Sequence, residues 1–373
     1  MQITAKGVLI VSRKGIYNFS AGPSMMPESV LKAAQSEITD YRSSGMSVME
    51  MSHRSKLFAD IFAETKAKLK KALNVPDSHE ILFLQGGATL QFAAIPLNLM
   101  GECGSASYAV TGNFSNLAAK EAEKYGKVSI ACNSADRDHS YIPAQSELKI
   151  GSDAKYFYYC ANNTIYGTEW HYVPDTKDIP LVCDMSSDIL SKPVNVSDFG
   201  LIYAGAQKNM APAGLTVVII DKSLAGKELA VCPSVMSYDT LIKKDSMLNT
   251  PPCWCIYMLG LMLDWLESMG GVAGMESIKS ERAAKLYDFL DNSKLFIPHA
   301  ERDSRSDMNV TFRTGNDALD ADFVKGASRH GLLNIKGHRL TGGMRASLYN
   351  AMPMEGVDAL VGYMKQFEVE HNV

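Results

Sequence analysis

The chain has 373 residues, 46% of them hydrophobic and 21% charged, with a net charge of −4. Length and apolar content suffice for a sizeable core, in one large unit or in two or three domains, and the mild acidity offers no electrostatic footprint for nucleic acid or an anionic membrane. Seven cysteines (Cys103, Cys132, Cys160, Cys183, Cys232, Cys253 and Cys255) are an odd number set mostly in apolar stretches, which argues against a disulfide framework and for a reducing, cytoplasmic setting.

The first 16 residues carry Lys6, Arg13 and Lys14 and no acid. They read either as a short targeting segment or, through Val8-Leu9-Ile10-Val11, as a stray strand. Pro27-Glu28 opens a helical pattern with Val30, Leu31, Ala34, Ile38 and Tyr41 on one face, ended by Gly45. A second helix runs from Lys56 to about Leu73. Strand-like runs then follow at Glu80–Leu84, Ser105–Val110, Val128–Cys132, Tyr156–Cys160, Leu181–Asp184, Leu201–Ala204 and Leu215–Ile220. Helical patterns separate several of them, including Thr89–Leu99 and Asn113–Tyr125. Strands alternating with helices predict an α/β fold with a mainly parallel seven-stranded sheet.

Leu259 to Met269 reads as an apolar helix broken by Gly270-Gly271, and the apolar run from Tyr257 to Leu266 is interrupted by Asp264. It falls short of the roughly 18 apolar residues that a membrane span needs. Cys253 and Cys255 form a C-x-C with no second cluster nearby, so no metal site is expected. An amphipathic helix over Ser277 to Leu290 leads to a strand (Asn309–Arg313), a helix (Leu319–His330), a strand (Arg345–Tyr349) and a last helix (Val357–Glu370). This predicts a smaller α+β domain, with residues 28–272 forming the large domain and residues 1–27 and 273–373 the small one.

Several residues stand out chemically. Lys208, in Tyr203-Ala204-Gly205-Ala206-Gln207-Lys208-Asn209, follows an apolar run and sits among small residues. Burial disfavours a lysine's charged form, which makes it able to hold a carbonyl cofactor as a Schiff base; a surface lysine after a strand is the plainer reading. Asp184 ends a strand, where open α/β sheets bind ligands, and could pair a pyridine nitrogen. It could equally cap the turn at Ser186 and Ser187. Gly86-Gly87-Ala88-Thr89 lies at a strand–helix junction that offers backbone N–H groups to a phosphate, or is a simple tight turn. His53-Arg54, His338-Arg339 and Arg345 are candidate anion anchors, though any single arginine is more often a solvated ion-pair residue. Together they point to a pyridoxal-phosphate enzyme.

The chain resembles the phosphoserine aminotransferases, fold-type I, class V pyridoxal-phosphate enzymes. The resemblance rests on Asn18-Phe19-Ser20-Ala21-Gly22-Pro23, Val48-Met49-Glu50-Met51-Ser52-His53-Arg54, Gln91 to Leu99, Tyr203 to Asn209, Asn249-Thr250-Pro251-Pro252 and Gly337 to Ser347. It implies that Lys208 carries the cofactor and shuttles the Cα proton, and that Asp184 pairs the ring nitrogen. Ala88, Thr89 and Gln207 would hold the phosphate, Thr164 would touch the ring hydroxyl side, and Phe114 would stack on the ring. Asn249 and Thr250 would reach the cofactor of a neighbouring subunit, implying a homodimer with shared active sites. Arg345 would clamp the substrate carboxylate, and His53, Arg54, His338 and Arg339 would surround its distal anion. Glutamate and 3-phosphohydroxypyruvate are the implied substrates, in serine biosynthesis, with 4-phosphohydroxythreonine chemistry as an open addition. The sequence departs from the family at Thr89, often arginine or cysteine, and at Phe114, often tryptophan. An alanine–glyoxylate type of class V enzyme and a cofactor-free binding protein are the competing readings; a cysteine desulfurase is disfavoured because no cysteine follows Cys255.

Overall fold

The computed structural model describes residues 2–3, 9–10 and 13–371. All seven expected strands lie in one sheet. Their spatial order is His79–Leu84, Thr216–Asp221, Leu201–Gly205, Leu181–Asp184, Ala154–Cys160, Ser105–Val110 and Lys127–Asn133. Thr216–Asp221 runs antiparallel to both neighbours, and the other six strands share one direction. The sheet is therefore mainly parallel, as the alternation of apolar runs and helices suggests. Apart from the largely exposed edge strand Lys127–Asn133, its strands are buried almost end to end, as expected for a sheet covered on both faces.

Helices α1 (Glu28–Glu37), α2 (Lys56–Ala72) and α6 (Cys253–Ser268) cover one face, with Phe58, Ile61, Phe62, Ile256, Leu259 and Leu263 in the same core as the sheet residues Ile81, Phe83, Ile202 and Ile219. Helices α3 (Gly87–Leu99), α4 (Asn113–Ala122) and α5 (Tyr238–Lys243) contribute to the apolar layer on Leu82, Val182, Leu201 and Val218, side chains that alternate with the first set. A second core gathers α8 (Asp317–Arg329), α9 (Met354–Glu370) and a three-stranded antiparallel sheet of Ile297–Pro298, Asn309–Arg313 and Met344–Ser347. Phe19 from the N-terminal segment packs there, and Tyr17–Asn18 pairs in parallel with Leu332–Leu333. Helix α7 (Gly271–Asn292) joins the two cores: Met275 belongs to the first, and Ala283, Leu286 and Leu290 to the second.

The largest differences from the periodicity lie at three element boundaries. Helix α1 stops at Glu37, short of Gly45. Beyond it, the Asp40 carboxylate accepts from the Gly45 N–H at 2.8 Å, and Arg42 and Ser43 adopt positive φ, so local side-chain hydrogen bonding displaces the helix. Tyr41 stays buried, edge-on against Tyr257. Helix α6 begins at Cys253, six residues before the apolar pattern, because Pro251-Pro252 sets its start. Helix α7 resumes directly after the Gly270-Gly271 break rather than at Ser277. At the N-terminus, Leu9–Ile10 pairs antiparallel with Gln2–Ile3, while Lys6, Val8 and Val11 lie outside the described residues. Among the described residues, no helix is long and apolar enough to cross a membrane.

Candidate active site

The six co-directional strands end along one edge of the sheet, where chains turn into loops and backbone groups are unpaired. Gly86-Gly87, Gly112–Phe114, Asn162–Thr164, Asp184 and Gln207-Lys208 all leave the sheet at that edge. Pleating and strand direction, not sequence proximity, bring them together.

Lys208 is half-buried rather than sealed among the small residues that surround it in sequence. Its Nζ donates to Thr164 Oγ1 at 2.8 Å and lies 5.6 Å from the centre of the Phe114 ring. Its backbone is held by Ser24: the Ser24 hydroxyl donates to the Lys208 carbonyl, and the Ser24 N–H donates to the Gln207 carbonyl at 3.0 Å. Gly22 packs close to the lysine stem. A Cβ there would meet Lys208 Cγ at 3.2 Å, and φ of +126° already disfavours a side chain.

Thr164 also joins Lys208 to the second core, because Arg345 Nη1 donates to the Thr164 carbonyl at 3.4 Å. The Arg345 Nε is buried with no partner. Burial pushes the Arg345 pKa down, and among the described residues no carboxylate within hydrogen-bonding reach offsets it. A desolvated guanidinium with spare donors is suited to an incoming carboxylate. His338 is close enough for the Arg345 charge to act on it. Burial, then Arg345, then Arg339 lower its pKa, which favours the neutral ring. Its Nδ1 accepts from the Leu340 N–H at 3.2 Å, which puts the ring proton on Nε2 as a free donor.

Asp184 is 4% exposed and forms no ion pair among the described residues. Oδ1 accepts from the Ser186 N–H at 2.8 Å and Oδ2 from the Tyr203 hydroxyl at 3.0 Å. Tyr203 in turn accepts from Tyr158 at 2.8 Å. Burial, and then the Asp184 charge, raise the pKa of both phenols well above the usual value, so both remain neutral donors. Sequence reasoning missed these tyrosines. The available signal was their inward register, since Asp184 lies beside Tyr203 on one side and Cys160 on the other. Tyr203→Phe should lower stability by about 1–3 kcal/mol, because it leaves a buried carboxylate oxygen unsatisfied. An unchanged denaturation midpoint would show that Asp184 does not depend on that donor.

The phosphate-cradle candidates open α3. Gly86 and Gly87 have φ of +89° and +68°, and no side chain caps the helix, so the N–H groups around Ala88 and Thr89 remain available. A Cβ on Gly86 would strike Leu90 at 2.4 Å. The half-buried Gln207 side chain also lies at this edge of the sheet, folded back over Gly205. Phe114 stands in the first turn of α4, whose entry is fixed by the Ser115 hydroxyl accepting from the Thr111 and Gly112 N–H groups. Asn163 donates to Thr111 and Thr168, joining the Phe114 and Thr164 loops.

Four anticipated residues stand apart. Asn249 and Thr250 are exposed beside Gln85 of the same chain, with Asn249 Nδ2 donating to Gln85 Oε1 at 2.8 Å. Arg54 is exposed, its recorded contact being its backbone N–H to Ser52 Oγ. No hydrogen bond or ion pair among the described residues links His53 or Arg54 to Lys208 or Arg345.

These residues suit pyridoxal phosphate by their donor set. A buried carboxylate without a cation matches a protonated pyridine nitrogen. A lysine stands beside an aromatic ring, and a glycine-opened helix N-terminus can receive a phosphate.

The comparisons agree with that chemistry. Residues 16–360 match the family model described as Aminotransferase class-V. The phosphoserine aminotransferase of Pseudomonas fluorescens (strain SBW25) is 48% identical over 358 residues, covering 96% of this chain and 99% of that protein. The structure of phosphoserine aminotransferase from Bacillus circulans subsp. alkalophilus superposes with a TM-score of 0.94 at 42% identity, covering 95% of this chain and 99% of that one. The pyridoxal-phosphate-bound phosphoserine aminotransferase of Trichomonas vaginalis follows at a TM-score of 0.90 and 40% identity, over 94% and 99% of the two chains.

Proposed function

This chain belongs to the class-V aminotransferases, within the phosphoserine aminotransferase family, and is a pyridoxal-phosphate enzyme; on that premise we propose that it transfers the amino group of glutamate to 3-phosphohydroxypyruvate, giving O-phosphoserine and 2-oxoglutarate. The observation that carries the reading is the Lys208–Thr164–Arg345 constellation, which sets a proton-transferring amine beside an unpaired guanidinium.

When bound, pyridoxal phosphate supplies a carbonyl that exchanges the amino group and a ring that takes up the electron pair left at the substrate Cα. Asp184 keeps the ring nitrogen protonated, and Tyr203 and Ser186 orient its two oxygens. Lys208 Nζ, steered by the Thr164 hydroxyl, would carry the proton from the substrate Cα to the former carbonyl carbon of the cofactor, and the second half-reaction would run the same transfer in reverse. Ala88, Thr89 and Gln207 hold the cofactor phosphate, and Phe114 covers the ring. Arg345 binds the α-carboxylate, which is common to both substrates. The neutral His338 donates from Nε2 to the distal anion, with Arg339 beside it.

We further propose a homodimer. Asn249, Thr250 and Arg54 are polar and exposed, His53 is half-buried, and among the described residues none of the four engages its own chain's lysine, which favours their serving the site of a second copy. The seven cysteines are all free, in keeping with a cytoplasmic enzyme of serine biosynthesis. A pocket that takes both a γ-carboxylate and a phosphate would also admit 4-phosphohydroxythreonine.

The direct test is phosphoserine formation from glutamate and 3-phosphohydroxypyruvate at saturating cofactor; no turnover rejects the proposal. Arg54→Ala should lower kcat/KM about 10- to 100-fold for phosphorylated and dicarboxylic substrates while sparing alanine, as expected for a lost charge-assisted contact. An equal loss on alanine would favour an enzyme of the alanine–glyoxylate type.

A further inference from the structure

A buried polar network joins the two cores behind the site, and one amide lies at its centre. Asn309 is fully buried on the strand Asn309–Arg313. Its Oδ1 accepts from Asn162 Nδ2 at 2.8 Å, and its Nδ2 donates to Ser347 Oγ at 2.9 Å and to the Tyr349 hydroxyl at 3.3 Å. Asn162 lies two residues before Thr164. Ser347 lies two residues after Arg345 and directly opposite Asn309 in the sheet register. We propose that Asn309 is a positioning residue for the carboxylate clamp, holding the Arg345 strand against the Asn162–Thr164 segment and so setting the reach from Arg345 to Lys208. The proposal rests on the transaminase reading above.

Three features support it. First, the next inward residue on the same strand repeats the connection. Thr311, opposite Arg345, donates to the Tyr166 carbonyl at 2.8 Å, so one face of the strand grips both ends of the segment that carries Thr164. Secondly, the amide has one workable orientation. Asn162 donates to Ser187 Oγ as well as to Asn309, and its own Oδ1 accepts from Ser306. Tyr349, after accepting from Asn309, donates to the Ala21 carbonyl at 2.9 Å. Turning the Asn309 amide would set its N–H groups against the Asn162 donor in a dry interior. Thirdly, the chain of bonds ends on the loop that supports Lys208, because Ala21 precedes the Gly22 that packs on the lysine stem. Apolar side chains would fill the same volume without fixing a register, whereas this network ties three segments of the site into one arrangement.

The test uses the holoenzyme of Asn309→Leu and two pairs of probes. One pair is L-phosphoserine and O-phosphoethanolamine; the other is L-glutamate and 4-aminobutyrate. The second member of each pair lacks the α-carboxylate. Dissociation constants are read from the absorbance of the lysine-bound cofactor. Asn309→Leu should weaken phosphoserine and glutamate about tenfold or more, leave the two decarboxylated amines within about twofold, and leave the unliganded spectrum unchanged. Ser347→Ala, which removes one acceptor, should give the same carboxylate-selective loss at about threefold, and it carries the test if the leucine variant does not fold. Equal weakening of both members of a pair, or no change for phosphoserine and glutamate, overturns the proposal. A wild-type enzyme that binds glutamate but not phosphoserine would instead reject the substrate assignment, and the glutamate pair would still test Asn309.

Discussion

Lys208→Ala should all but abolish transamination, with kcat falling by about 10⁴-fold, because among the described residues no other amine is placed beside Thr164 and Phe114 to move the Cα proton. Among the described residues, Lys208 Nζ donates to the Thr164 hydroxyl and stands 5.6 Å from the centre of the Phe114 ring, and neither can act as a base near neutral pH. The variant should still fold. Lys208 is half-buried, forms no ion pair among the described residues, and its backbone is anchored through Ser24 independently of its side chain. The decisive readings are the absorbance of the lysine-bound cofactor, which should vanish, and the denaturation midpoint, which should hardly move. A spectrum that persists in Lys208→Ala would clear this lysine of the role.

Asp184→Asn is the second large effect. A carboxylate about 4 Å from a protonated ring nitrogen, at an effective dielectric near 20, is worth about 4 kcal/mol. Its loss corresponds to roughly a 10³-fold fall in kcat. The substitution keeps the size of the side chain. It also keeps an acceptor for the Ser186 N–H, provided that the amide oxygen takes the Oδ1 position. The amide nitrogen would then face the Tyr203 hydroxyl, a donor in the present arrangement. Tyr203 and Tyr158 would have to reverse their hydrogen bonds in a region that water does not reach. Asp184→Asn should therefore lose stability as well as rate. Single-turnover formation of the aminated cofactor from glutamate separates the two properties. Wild-type rates in Asp184→Asn would show that the carboxylate does not sustain the electron sink.

These two residues also mark how much was readable in advance. Lys208 and Asp184 follow short apolar runs, and a run of period-two or continuous apolar residues predicts where a strand ends. The alternation of such runs with helices was enough to anticipate seven strands in one mainly parallel sheet. Helix limits were less legible. The stop of α1 depends on an Asp40–Gly45 hydrogen bond, and the early start of α6 on two prolines whose effect outweighs a weakly patterned first turn.

The site's interior connections were the least visible. Nothing in the residues around Asn309 distinguishes it from a surface asparagine. Its partner Asn162 lies 147 positions away, and Arg345 lies 181 positions from the Thr164 carbonyl that it reaches. The tyrosine chain behind Asp184 arises because neighbouring strands pair in register, which no single segment encodes. The sequence by itself determined most of the strand and helix inventory, the strand-end lysine and carboxylate, and the glycines that open α3, since periodicity, turn chemistry and side-chain type act over a few residues. Only the tertiary structure decided that Lys208 is half-open, that Arg345 reaches it through Thr164, and that His53, Arg54, Asn249 and Thr250 stand apart from it. Those facts depend on how distant segments pack, and burial and hydrogen-bond geometry exist only once they have done so.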